Sequence, residues 1–171
     1  PANPGDPISS YASGMSALHK GVEFDCAFKP IDVLTFEGMV SLGDWEWTKP
    51  ATAILFDQVG NEVARAKFDP TGVKVGDAAQ FTYATSVRYE PIKGVYIKPQ
   101  FNYFSRNYAN YSPEGLVITD NANNYGPNIG RQSWRMPDYG MVDLSCGYSF
   151  FNNKNKYDFR ASVMNIFDSF Y

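Results

Sequence analysis

Trp45-Glu46-Trp47 sets two indoles on either side of a carboxylate. In an extended chain, residues two apart share a face, so this pair could stack on a sugar ring or on an aromatic iron chelate. The same triplet also suits an aromatic girdle at a membrane interface or the packed base of a loop. Farther along, Arg131, Trp134 and Arg135 combine two guanidinium groups with a ring. They could grip an anionic ligand through forked hydrogen bonds, or could be solvated and paired within their own loop. A third set is purely ionic. Glu23, Glu37, Arg88, Lys98, Asp143 and Arg160 all fall on the polar side of alternating segments, where they could pair with a body lying against that side.

Catalytic chemistry finds little to use. The single histidine, His19, stands beside Lys20 and reads as an exposed loop residue. Cys26 and Cys146 lack the spacing of a metal site and are too few for a disulfide framework. Carboxylate pairs such as Glu23 and Asp25 are ordinary on a polar strand face, and no nucleophile, base and orienting group occur in a workable order. Asn110-Tyr111-Ser112 matches a glycosylation acceptor at chance frequency. The expectation is a protein that is not an enzyme and that needs no metal or cofactor.

The elements that must position these groups alternate with a period of two. Val22, Phe24, Cys26 and Phe28 interleave with Glu23, Asp25, Ala27 and Lys29. Five further runs behave the same way, which predicts six antiparallel strands near residues 21–29, 33–43, 79–90, 94–106, 140–151 and 157–167. Three to five turn residues join the first strand to the second, the third to the fourth and the fifth to the sixth. Between these pairs lie long segments, 45–78 and 107–139, rich in Gly, Pro, Asn and aromatics. A small hairpin is predicted inside the first, with Ala53–Phe56 and Glu62–Lys67 flanking Asp57-Gln58-Val59-Gly60-Asn61. Residues 1–20 read as loop, broken by Pro1, Pro4, Gly5, Pro7 and Gly14. They also lack the pattern of a secretory signal.

Composition narrows the class. Lys and Arg number 15 against 18 Asp and Glu, a net charge of −3 that argues against a phosphate-gripping, nucleic-acid-binding surface. No apolar stretch is long enough for a membrane helix. Short turns at one end and long loops at the other fit an all-β transmembrane barrel wall with extracellular loops. A soluble β-sandwich gives the same alternation with its faces reversed, and would bind a glycan or a protein through the Trp45/Trp47 loop. Strand length, the one-sided loops and the tyrosines at strand ends (Tyr89, Tyr103, Tyr148, Tyr157) favour the barrel. Six strands cannot close a membrane barrel, which takes at least about eight. Open edges are not tolerated in hydrocarbon, so the barrel reading makes this chain part of a larger barrel.

Gly21-Val22-Glu23-Phe24, a Pro-centred turn and Leu34-Thr35-Phe36-Glu37-Gly38 resemble a hairpin of the TonB-dependent outer-membrane receptors. Ser86-Val87-Arg88-Tyr89 resembles a later strand of that barrel, and Val163-Met164-Asn165-Ile166-Phe167-Asp168 with Tyr171 is similar to its penultimate strand. The resemblance covers roughly residues 19–47 and 78–171. In style, Gly43-Asp44-Trp45-Glu46-Trp47 and Ile97-Lys98-Pro99-Gln100-Phe101-Asn102-Tyr103 look like receptors of the Bacteroidetes.

The resemblance implies the C-terminal part of a 22-stranded barrel in the outer membrane of a Gram-negative bacterium. Such a receptor imports a scarce nutrient (an iron chelate, cobalamin, haem or an oligosaccharide) with energy from the inner-membrane TonB complex. It implies as partners the rest of the receptor chain with its plug, the TonB complex through an N-terminal part, outer-membrane lipid and, in a Bacteroidetes receptor, a surface lipoprotein. On this resemblance the plug domain and the last strand of the barrel are expected to lie outside residues 1–171. The expected plug-facing residues are Glu23, Glu37, Arg88, Lys98, Asp143 and Arg160, and the expected ligand-facing residues are Trp45, Trp47, Arg131, Trp134 and Arg135.

Overall fold

The computed structural model describes residues 9–111 and 132–170. Nine strands and no helix lie among them: β1 (Ser9–Ser13), β2 (Ala17–Ile31), β3 (Leu34–Trp47), β4 (Ala51–Phe56), β5 (Glu62–Phe68), β6 (Phe81–Ile92), β7 (Val95–Ser105), β8 (Tyr139–Asn152) and β9 (Asn155–Val163). They form an all-β, antiparallel structure of two sheets, one ordered β2-β3-β6-β7-β8-β9 and the other β1-β4-β5. Within the single expected domain the contacts divide the chain into two compact units.

The larger unit holds the six-stranded sheet, drawn from Gly21–Gly43, Ala79–Asn107 and the chain from Met136 onward. Its strands are neighbours in chain order, because two-residue turns at 32–33, 93–94 and 153–154 reverse the chain tightly. Gly94 (φ +89°) and Asn153 (φ +56°) supply the left-handed backbone that such turns demand. The registers keep the alternation intact from strand to strand. Phe36 faces Val87, Tyr83 faces Tyr103, Ile97 faces Cys146 and Tyr148 faces Phe159. On the opposite side Glu37 faces Ser86, Gln100 faces Asp143 and Gly147 faces Arg160. One apolar and one polar face result. The last strand ends at Val163 rather than near 167, because Asn165 and Asp168 take positive φ and a loop closes between the Asn165 amide and Ser169.

The smaller unit comprises residues 9–20, 44–78, 108–111 and 132–135 among those described. The loop expected over residues 1–20 is replaced, in its described part, by β1 and the start of β2. β1 pairs with β4, Tyr11 facing Ile54, a non-local contact that no local pattern encodes. The expected loop 45–78 likewise contains the end of β3 and the hairpin β4–β5, whose register shifts at Leu55/Phe56. Asp57 shapes the hairpin turn by accepting hydrogen bonds from the backbone N–H groups of Val59 and Asn61. Ala51, Ala53, Phe68 and Val73 form the core of this unit, with Met15, Trp47 and Tyr111 packed against it.

Candidate functional site

The six-stranded sheet carries an unusual distribution of exposure. On β7 the apolar residues Val95, Ile97 and Phe101 are exposed, at 43% for Ile97 and 37% for Phe101, while the alternate residues Tyr96, Lys98, Gln100 and Asn102 are more sheltered. On β6, Tyr83 and Tyr89 are exposed but Ser86 is only 5% exposed. Water-facing sheets show the reverse order. Aromatic rings gather at both ends of the apolar face. Phe81 meets Tyr103 and Tyr83 meets Phe101 at the end with long connections, and Phe150 stacks with Tyr148, Tyr157 and Phe159 at the end with tight turns. Between these bands lie the pairs Phe36–Val87 and Pro99–Leu144–Val163. Cys26 and Cys146, both free and exposed, belong to this apolar face.

Most of the polar face is satisfied within itself. Lys98 Nζ donates to Glu37 Oε2 at 2.6 Å, and Ser86 Oγ donates to the same oxygen at 2.9 Å. Arg88 pairs with Glu90 at 3.2 Å and lies 3.6 Å from the centre of the Tyr96 ring. Asp143 accepts from the Asn102 side chain at 2.8 Å and from the Asn165 backbone N–H at 2.9 Å. Glu23, on the edge strand β2, accepts from Ser41 of β3, and Arg160, on the other edge strand β9, stands opposite Gly147 of β8. Between Asp25 and Glu37 the face is lined by Ala27, Met39, Ala84, Ser86 and Gln100, which leaves a shallow cavity of about 450 Å³. All six residues expected to line a lumen therefore lie on one face, and four of them already have charged or amide partners there.

The smaller unit holds the other candidates. β3 carries Asp44, Trp45, Glu46 and Trp47 beyond its pairing with β6, and the segment 72–77 lies beside it through the Glu46–Lys74 bridge. Lys74 Nζ reaches Asp44 at 2.6 Å and Glu46 at 3.4 Å, while Lys20 reaches the other oxygen of Asp44 at 3.0 Å. The hydrogen bond that Lys74 donates to Asp44, and the negative charge of Asp44, hold the Lys74 ammonium above the ordinary lysine range, against the burial that opposes them. Trp47 turns the other way, its ring edge-on to Tyr111 at 5.9 Å and packed on the Phe68 core. Trp45 lies against His19, ring centres 5.4 Å apart. His19, expected in a loop, is thus a residue of β2 with an aromatic neighbour.

Trp134 and Arg135 sit on a laced backbone. Trp134 O accepts from Ala109 N–H at 2.9 Å, and Arg135 is bridged to Tyr108. The Gln132 side chain acts like a strand edge, its oxygen accepting from Lys74 N–H at 2.7 Å and its amide donating to Gly72 O at 3.2 Å. Trp134 is 67% exposed on this base. Arg131 lies outside the described residues. Neither Lys74 nor Gln132 is legible in the sequence, because both stand in segments without strand alternation; the Asp44/Glu46 alternation is the one signal there that a cation should face them. Among the described residues no group of three His, Cys, Asp or Glu side chains could hold a metal ion. No family model, no curated protein and no solved structure matches the chain.

Proposed function

We propose that this chain forms part of the wall and outer loops of an outer-membrane β-barrel of the TonB-dependent receptor type, which imports a scarce nutrient with energy drawn from the inner-membrane TonB complex. The observation that carries this reading is the inverted sheet. On the four inner strands β3, β6, β7 and β8 the exposed side chains away from the turns are apolar, among them Phe36, Tyr83, Ile97 and Tyr148, while the polar side chains between them are more sheltered and several are mutually paired; the edge strands β2 and β9 are exposed on both faces. In water such a face would leave apolar area unburied at about 25 cal/mol per Å²; in lipid it is at rest. Dimensions support the same medium. The register sets Tyr148 opposite Val95 and Tyr103 opposite Gly140, so the two aromatic bands stand eight residues apart along β8. That is about 27 Å along the strand, or about 21 Å across the bilayer at a typical tilt of about 40°, close to the roughly 25 Å apolar belt of such barrels.

The chain is wall rather than enzyme in this reading. Strands β2 and β9 have no further partner among the described residues, and hydrocarbon does not tolerate open edges, so other strands must complete the ring. The polar face, with Lys98 paired to Glu37, Arg88 to Glu90 and Asp143 hydrogen-bonded by Asn102, faces the lumen and its plug. The loop base with Trp134 and Arg135 faces the outside medium, where a nutrient ligand or a surface lipoprotein would meet it.

The native cysteines test this directly. In intact outer membranes, Cys26 and Cys146 should resist a charged, membrane-impermeant maleimide and react with a lipid-soluble one. Rapid labelling of both by the charged reagent in the folded protein would place the apolar face in water and end the barrel reading.

A further inference from the structure

Strand registers in the larger sheet have two different origins. For β2–β3, β6–β7 and β8–β9 a two-residue turn leaves no freedom to slide. Strands β7 and β8 are joined through residues 106–138, a connection too long to dictate which residue faces which. The hydrophobic pattern cannot do it either. A slip of one residue would turn every side chain to the wrong face, but a slip of two restores both faces. Something more specific must distinguish the native pairing from its two-residue neighbours.

The structure supplies it at Tyr96 and Gly147, which face each other on the polar side. The Tyr96 ring lies down on Gly147: a Cβ built there would stand 2.8 Å from Tyr96 Cζ and 3.0 Å from the Phe159 carbonyl oxygen. Above the ring sits the Arg88 guanidinium, 3.6 Å from the ring centre. The aromatic is thus held between a bare backbone and a cation, covering backbone that glycine leaves open. After a two-residue slip Tyr96 would face Ser145 or Ser149, whose Cβ and hydroxyl would lift the ring off the sheet. A second joint agrees with the first. On the apolar side the Phe101 ring overlies Gly140, where a Cβ would stand 2.8 Å from Phe101 Cε2. Two glycines of one strand, on opposite faces, each accept an aromatic ring from the same neighbouring strand.

We propose that Tyr96 and Gly147, capped by Arg88 and seconded by Phe101 and Gly140, form the joint that sets the register of β7 against β8. This assigns Tyr96 a positioning role within the sheet, since it sets which residues of β7 and β8 face one another. The idea does not depend on what medium covers the apolar face.

Native Cys146 provides the reporter in the full-length protein carrying Cys26→Ser. Ile97 faces Cys146 in the native register, so Ile97→Cys should form a disulfide under mild oxidation. Val95→Cys and Pro99→Cys would reach Cys146 only after a slip of two residues in one direction or the other. With Tyr96 and Gly147 intact, only the Ile97→Cys protein should cross-link. With Tyr96→Leu or Gly147→Ala, cross-linking at a slip position should rise about tenfold, while Tyr96→Phe, which keeps the ring, should behave as the parent. Slip positions that stay silent in both Tyr96→Leu and Gly147→Ala overturn the proposal. So does a loss of cross-linking at Ile97→Cys without any gain at Val95→Cys or Pro99→Cys, which would make Tyr96 a packing residue only.

Discussion

Leu144→Arg is the substitution that most sharply separates lipid from water on the apolar face. Leu144 faces Pro99 on one side and Val163 on the other. It stands four residues from Tyr148 and four from Gly140, which faces Tyr103, and so lies midway between the two aromatic bands. An arginine at the bilayer midplane of a barrel wall costs about 2–4 kcal/mol, a factor of about 30 to 1,000 in the folding equilibrium. On a water-exposed sheet face the same change should stay within about 0.5 kcal/mol. The adjacent residue supplies the control, because Ser145 points to the polar face, where its hydroxyl lies 3.0 Å from that of Ser162. Ser145→Arg should cost little in either medium. Urea unfolding of the protein in phospholipid vesicles, followed by far-ultraviolet circular dichroism, gives both numbers. Tryptophan fluorescence would not serve, since Trp45, Trp47 and Trp134 all belong to the smaller unit. A Leu144→Arg cost below about 0.5 kcal/mol, or one no larger than that of Ser145→Arg, would refute the assignment of the apolar face to lipid.

Three further outcomes are expected. Phe68 is completely buried and is the one large side chain among the four residues of the smaller unit's core; Phe68→Ala should cost about 3–5 kcal/mol, read as lost hydrogen-exchange protection at β4 and β5 amides with β7 and β8 amides retained. Gln132→Ala removes two hydrogen bonds to the 72–74 backbone; at about 0.5–1.5 kcal/mol each, the Lys74 amide should exchange faster by roughly one order of magnitude. The Asp57 carboxyl is lowered from 3.8, first by the Asn61 backbone hydrogen bond. Because the folded form is the more acidic, its contribution to the turn is complete above pH 3.8 and disappears as pH falls through the lower folded value. Carboxyl and amide NMR shifts of Asp57, Val59 and Asn61 should move together there, and a titration centred at or above 3.8 would contradict the turn.

Strand alternation was legible residue by residue, because side chains of an extended chain alternate by geometry and no tertiary contact is needed to sort Phe24 from Glu23 or Ile97 from Lys98. The hairpin around Asp57 was legible for the same local reason, its turn chemistry being contained in five consecutive residues. Exposure was not. A sandwich and a barrel wall share one alternation, and only the assembled sheet reveals that Ile97 and Phe101 are the exposed partners and Ser86 the sheltered one. Non-local pairs were equally invisible. That Ser9–Ser13 would find Ala51–Phe56, that Lys74 would stand between Asp44 and Glu46, and that Trp47 would turn into the Phe68 core all depend on chain segments far apart in sequence. Within the six long strands and the Asp57 hairpin a local period of two is enough to say which residues are extended and which sides of them are alike, whereas β1, which only its pairing with β4 reveals, is not legible that way. The tertiary structure alone decided which strands meet, in what register and with which face covered, since those depend on contacts that a local period cannot rank.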